Sequence, residues 1–268
     1  MTTEELNKLK SIELEILLMF DNYCKDKGLK YYLIGGALLG SARYGGFIPW
    51  DDDIDVAMPR DDYEKLKLLW CENGVDGYFL QHENSDSKFA RCIMKVRKNN
   101  TEILEERTRN VKMHQGIYID VFPMDYVSCY DEKKLSKRAG KIRRYMTLRT
   151  IKSGYDGNYK LIKNIIRLGM FWLPVRVIDK KIYRLCTCEN GGDRKYIILF
   201  LHNYNWDRQI HEADVFGEGS ICLLEGKAFV APRDTKAFLK KVFGGDYMND
   251  PPEEQKKNPH KYVSVKFN

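Results

Sequence analysis

The stretch YYLIGGALLGSARYGGFIPWDDDIDVAMP, residues 31–59, decides how the rest of the chain is read. It opens as a short apolar strand, breaks at Gly35-Gly36, resumes as a short helical run and ends in four aspartates within five positions: Asp51, Asp52, Asp53 and Asp55. Ile54 and Val56 bracket Asp55, which reads as strand, expected over 54–58. Alternate residues of a strand share a face, so Asp53 and Asp55 are expected to point together while Ile54 and Val56 enter the core. Carboxylates placed side by side repel, and a divalent cation cancels the repulsion. Hard oxygen ligands in this number suit Mg²⁺, an ion that brings substrate phosphates into its shell; Mn²⁺ is the alternative. The two glycines add a place where backbone approaches an anion closely, at the free N–H groups of a helix start. Asp51 and Asp52 read equally well as turn residues after Pro49-Trp50.

Working outward, Thr2-Thr3-Glu4-Glu5 has the form of a capping box opening a helix that Gly28 stops. RDDYEKLKLLW follows the aspartates as another helix. GYFLQH, FARCIMKVRK and TEIL suggest antiparallel strands. GIYIDVFPMD, residues 116–125, holds one more strand, with Asp120 between Ile119 and Val121 as the natural third carboxylate. Helical patterns fill 131–153, 159–172 and 175–188. KYIILFL and a hairpin around Glu225-Gly226 return to strand, a helix is expected over 233–243, and the tail reads as turn-rich. The fold class is therefore α+β: a mixed sheet core with flanking helices and a basic helical insertion. The expected segments are a metal-bearing core over 1–130, the insertion over 131–190, and a β/α segment over 191–268 that completes the core and the substrate site.

The chain has 268 residues and a net charge of +7, unevenly spread: residues 133–184 hold 16 Lys/Arg and 2 Asp/Glu. A block so biased faces an anionic partner or is a solvated helical surface. Within it LIKNIIRLGMFWLPVRVIDKK, residues 161–181, mixes apolar residues with Lys163, Arg167 and Arg176, a composition able to lie on an anionic membrane. With no secretory signal and no apolar run long enough to span a bilayer, a cytoplasmic protein is expected, peripheral at the inner face of the membrane if that segment binds lipid. The seven cysteines read as reduced thiols with structural roles.

Strand, Gly-Gly, helix, loop, then Asp-x-Asp on a strand is the ordered pattern of the nucleotidyltransferase superfamily. IGGALLGSARYGGFIPWDDDIDVAMPRDDYEKL resembles more narrowly the LicD family of phosphocholine transferases. The resemblance continues through KVRKNNT (95–101) and GIYIDVFPMD, and ends in EGKAFVAPRDTKAFLKKVFGGDYMNDPPEEQ. It implies a nucleotidyltransferase-like fold, Mg²⁺ dependence and a CDP-linked donor, with Asp53 and Asp55 as metal ligands and Asp120 as third carboxylate. Relatives in the family move phosphocholine, or ribitol phosphate, onto a sugar hydroxyl. The tail departs from the family, which commonly has adjacent histidines after Pro-Pro-Glu-Glu; here NPHKY holds His260 alone.

The expected reaction is transfer of phosphocholine from CDP-choline to a sugar hydroxyl of a cell-surface glycan or teichoic acid precursor, presented on a lipid, with release of CMP. Ribitol or glycerol phosphate is the alternative cargo. Gly35 and Gly36 are the candidate phosphate cradle. Asp52, Lys95 and Arg97 are candidate substrate contacts, the two cations sharing a strand face whose plain reading is solvated. Arg43, Ser41, Trp50 and His260 complete the candidates, Trp50 because an aromatic face suits a quaternary ammonium; Tyr44, Phe47, Tyr204 and Trp206 are further aromatics of that kind. Two rival classes remain. One is nucleotidyl transfer from an NTP, with the basic block on nucleic acid, a partner the main reading does not include. The other is a non-catalytic module that binds no metal.

Overall fold

The computed structural model describes residues 1–155, 160–256 and 260–267. The first residue of the helix expected at 159–172 and part of NPHKY fall outside them. The first helix, α1 (Thr3–Lys27), starts on the expected capping box: the Thr2 side chain accepts from the Glu5 amide and the Glu5 side chain from the Thr2 amide. It ends at Gly28, whose left-handed φ of 61° a residue without Cβ adopts at no cost. One face of α1 buries Leu9, Ile16, Leu17 and Phe20.

The central sheet is mixed. Its main path runs β1 (Tyr32–Ile34), β2 (Asp55–Pro59), β6 (Tyr118–Val127), β4 (Met94–Lys98), β3 (Tyr78–Gln81). β2 and β6 are parallel; the other pairs on this path are antiparallel. The C-terminal half of β6 also pairs with β7 (Tyr196–Ile198), which pairs with β8 (Ile210–Glu212). All ten residues of β6 are buried, as suits a strand with neighbours on both sides and apolar layers above and below. Helix α2 (Gly35–Tyr44) links β1 to the aspartate loop, and α3 (Arg60–Asn73) leaves β2. At that exit Arg60 donates two hydrogen bonds to the fully buried Asp125 of β6, at 2.9 and 2.7 Å. The pair ties α3 to the sheet, and both charges are answered.

The basic segment is helical, as expected: α4 (Glu132–Lys152), α5 (Lys160–Gly169) and α6 (Val175–Thr187). After β7 and β8 come a one-turn helix, α7 (Ala213–Phe216), the hairpin β9 (Ser220–Leu224) and β10 (Lys227–Ala231), and α8 (Thr235–Phe243). The hairpin turns on Glu225 and Gly226, both at positive φ, as a two-residue turn requires.

Two expectations are corrected, and one strand was not foreseen. The described part of the turn-rich stretch 244–262 is turns and a single 3-10 turn, as expected, but the strand at its end is new: β11 (Tyr262–Lys266) pairs with β5 (Glu102–Glu105), a long-range partnership that local composition does not reveal. The strand face carrying Lys95 and Arg97 is not solvated; their exposures are 2% and 1%. Cys71, Cys129 and Cys188 are exposed, so the reading of all seven thiols as packed residues fails for three.

Candidate active site

The parallel pairing of β2 and β6 sets Asp55 opposite Asp120. A ladder bond from the Asp120 amide to the Ile54 carbonyl (2.9 Å) fixes the approach one residue earlier. The strand begins at Asp55, yet the alternation holds upstream of it: Ile54 and Val56 are fully buried, while Asp53 and Asp55 are partly open. Among the described residues, the three carboxylates with ligand atoms all within 4.8 Å of one another are Asp51, Asp52 and Asp53.

The preceding loop is held from two sides. The buried Lys10 ammonium of α1 donates to the carbonyls of Ile48 (2.8 Å) and Pro49 (2.9 Å). Glu225, at the hairpin turn, accepts from the Phe47 amide (3.0 Å). Gly35 and Gly36 lie against the aspartates. A Cβ on Gly35, whose φ is +62°, would stand 2.7 Å from an Asp55 carboxylate oxygen; one on Gly36 would stand 2.0 Å from Asp51 Oδ2. Glycine is needed here because the first turn of α2 and the acidic loop occupy the same space.

So much negative charge in one place is expensive. Burial, then Asp52 and Asp55, push the Asp51 carboxyl up to about 7. Burial and the charges of Asp55, Asp51, Asp52 and Asp120 hold Asp53 well above the usual carboxylate range. Glu13 of α1 lies beneath the cluster at 2% exposure, and burial with the charges of Asp53, Asp52 and Asp51 raises it strongly as well. Sequence reading passed over Glu13, although it occupies the same helix face as Leu9, Ile16 and Leu17; an acid in an apolar stripe is the signal.

Positive groups face this cluster on one side. Lys95, opposite Asp120 in the β4–β6 register, brings Nζ within 2.6 Å of Asp120 Oδ1. Neither atom has a hydrogen-bond partner, and the ammonium also lies over the Tyr118 ring, 3.1 Å from its centre. Burial brings the Lys95 ammonium down to about 8, against the pull of Asp120 and Glu105. Arg97 is committed to the sheet, donating to Gln81 Oε1 and the Gly116 carbonyl, both at 2.5 Å. His260 reaches the site because β11 pairs with β5: Nδ1 lies 2.9 Å from Asp52 Oδ1. Burial lowers its pKa, but the Asp52 contact outweighs burial and the net shift is upward. The Tyr262 hydroxyl also faces Asp52, outside hydrogen-bond geometry, and its phenol is raised by burial and by that charge.

The remaining candidates stand further off. Arg43 donates to the Tyr247 carbonyl and Ser41 lies against Cys222. Trp50 is half-buried beneath Lys256, whose ammonium is 5.2 Å from the ring centre. Tyr44 is exposed and bonded to Asp250. His202, which sequence reading missed, places Nε2 3.5 Å from Asp55 Oδ2 and stacks on Tyr204 at 5.0 Å. Nothing local in LFLHNYN marks it.

His202 opens into a cleft of about 480 Å³ lined by the end of β5, the stretch 200–206 and the basic helices α4 and α5. Arg91, Arg107, Arg143 and Lys163 give it positive charge, and Tyr155, Phe200, Tyr204 and Trp206 give it aromatic faces. Glu105 also lines it and accepts from the Tyr118 hydroxyl at 3.1 Å. Burial opposes ionisation of Glu105, but Lys95, Arg91 and His260 prevail and keep it below the ordinary value. The basic insertion thus forms one wall of the cleft that adjoins the carboxylates.

A mixed α+β core with clustered aspartates beside a cationic, aromatic cleft has the make-up of an enzyme acting on phosphate-bearing substrates. Residues 28–146 match the family model described as LicD/FKTN/FKRP, nucleotidyltransferase domain. It is similar to the lipopolysaccharide cholinephosphotransferase LicD of Haemophilus influenzae, 28% identical over 95% of this chain and 96% of the relative. It is also similar to the ribitol 5-phosphate transferase FKRP. The human protein is 36% identical and the mouse protein 51%, each over 22% of this chain and 15% of the relative.

Proposed function

We infer that the protein transfers phosphocholine from CDP-choline to a hydroxyl of a cell-surface glycan, using a nucleotidyltransferase-type site. The observation that carries this is the acidic group formed by Asp51, Asp52 and Asp53 of the loop and by Asp55 and Asp120, paired across β2 and β6, in a chain similar along its length to a cholinephosphotransferase.

A divalent cation fits these residues. Asp51 and Asp53 are raised by burial and mutual repulsion, and Asp52 Oδ2 and Asp120 Oδ1 are buried without hydrogen-bond partners. In this reading Asp53 and Asp55 hold Mg²⁺, Asp51 or Asp120 completes the set, and Mn²⁺ serves in its place. When bound, the ion offsets the charge on the donor's phosphates. The acceptor hydroxyl attacks the phosphorus on the choline side. The new P–O bond forms as the bond to CMP breaks, and CMP leaves with the electron pair. Asp120 takes the hydroxyl proton, and Lys95 beside it compensates charge as the proton moves. His260 holds Asp52, and His202 stands where it can bond donor or acceptor. The cations of the cleft hold phosphate oxygens, and Tyr204 and Trp206 offer faces for the quaternary ammonium.

The similarity to FKRP supports a second reading, ribitol phosphate as cargo. One experiment separates them: CMP release with Mg²⁺ from CDP-choline, CDP-ribitol, CDP-glycerol and CDP-ethanolamine. CDP-choline is expected to be turned over fastest. Preference for CDP-ribitol selects the second reading, and turnover of none of these donors, with pyrophosphate released from an NTP instead, overturns both.

A further inference from the structure

The helix α5 is turned inside out. A surface helix ordinarily buries its apolar stripe and shows its polar face to water. Here Lys163 and Asn164 are half-buried, and Lys163 lines the cleft. Ile162, Ile165, Ile166 and Leu168 are exposed, Ile165 at 70% and Leu168 at 77%. Phe171 and Trp172, just past the helix end, are exposed at 86% and 77%. The arrangement is anchored: the Lys152 ammonium of α4 donates to the Phe171 carbonyl at 3.1 Å and also to that of Met170, answering backbone acceptors at the end of the segment.

We propose that α5 and the Phe171-Trp172 corner dock on a membrane surface bearing anionic headgroups. Six large apolar side chains exposed within residues 162–172, four of them on α5, are more than a soluble surface ordinarily leaves uncovered in one stretch. Its charge names the occupant. Residues 157–178 contain no acid and four cations, Lys160, Lys163, Arg167 and Arg176; the exposed Lys180 and Lys181 follow on α6. A second copy of the chain would set this cationic rim against itself, whereas an anionic bilayer takes the apolar side chains and the cations together. Tryptophan and phenylalanine at the corner suit the headgroup boundary. No helix among the described residues is long and apolar enough to cross a membrane, so the segment lies on the surface. The inference does not depend on the proposed reaction.

The test is co-sedimentation of the full chain with vesicles of phosphatidylcholine, with and without phosphatidylglycerol, at low and high salt. Wild-type protein is expected to bind the anionic vesicles, with binding weakened by salt. Replacing Ile165, Leu168, Phe171 and Trp172 together by Ser is expected to reduce affinity on the order of a hundredfold or more at either salt. Arg167→Gln, Arg176→Gln and Lys180→Gln together are expected to lose roughly a hundredfold on anionic vesicles at low salt. Quenching of wild-type tryptophan fluorescence by brominated lipid, lost in Trp172→Phe, reports insertion without a disruptive substitution. Wild-type protein that stays in the supernatant with anionic vesicles at low salt overturns the proposal. So does a concentration-dependent dimer, without vesicle binding, that the serine variant abolishes.

Discussion

Asp53 and Asp55 show how one residue type serves two requirements. Asp55 opens β2 and Asp53 lies two residues upstream, where Ile54 and Val56 carry the packing. Their side chains are free to be functional because the alternation of the strand turns them away from that core. Asn keeps the shape of Asp and removes its charge, so Asp53→Asn and Asp55→Asn should each leave the fold intact. Each should lower CMP release from CDP-choline by roughly a thousandfold or more, since a metal ligand stabilises the transition state by several kcal/mol. Either variant retaining a tenth of wild-type turnover at saturating Mg²⁺ would remove that aspartate from the metal site.

Among elements, the strand β11 is the one whose placement changes the reading of the site. It pairs with β5, and that pairing carries His260 to Asp52. Removing the imidazole leaves the Asp52 carboxylate, one oxygen of which already lacks a partner, still less satisfied. His260→Ala is therefore expected to cost about 1–3 kcal/mol of stability in urea denaturation. The pH dependence has a definite sign. His260 has a folded pKa above its ordinary 6.5, so its contribution is full below that value and lost as pH rises through the folded value. The variant's deficit should be larger at pH 6 than at pH 9. An equal deficit at both would show that the contact does not depend on the imidazolium.

For the whole molecule, the acidic cluster couples folding to protons and to cations. Asp51 has a folded value of about 7 against an ordinary 3.8, and Asp53 is raised in the same direction. A raised carboxyl stabilises the fold through the proton it keeps, and that contribution is lost as pH climbs from about 4 to about 7. His260 adds a loss of the same sign, whereas Lys95, lowered to about 8, restores stability only above that pH. His82, His114 and His211, lowered by burial, act in the opposite sense up to about pH 6.5. The raised carboxyls of Asp51, Asp53 and Glu13 together outweigh them, so the melting temperature of metal-free protein is expected to fall between pH 5 and pH 7.5. Mg²⁺ should raise it more at pH 7.5 than at pH 5, because a ligand that binds only the native state stabilises it and protons compete for the same oxygens. In Asp51→Asn the fall should flatten. A melting temperature that rises across this window, or a Mg²⁺ effect equal at both ends, would contradict the assignment.

What the sequence determined by itself was local in origin. The capping box at Thr2, the stop at Gly28, the strand-to-helix break at Gly35-Gly36, the alternation around Asp55 and the turn at Glu225-Gly226 each depend on residues a few positions apart. Propensity, capping and side-chain period act over that range. The register of Asp55 against Asp120, the burial of Lys95 and Arg97, and the arrival of Glu13, His202 and His260 depended on tertiary structure. These groups lie tens to hundreds of positions apart, and only the sheet order and the packing of α1 and the tail bring them together. The orientation of α5 was likewise undecided by its pattern. An amphipathic period states that a helix has an apolar face, but which way that face turns is settled by what the other face meets, here the cleft that Lys163 lines.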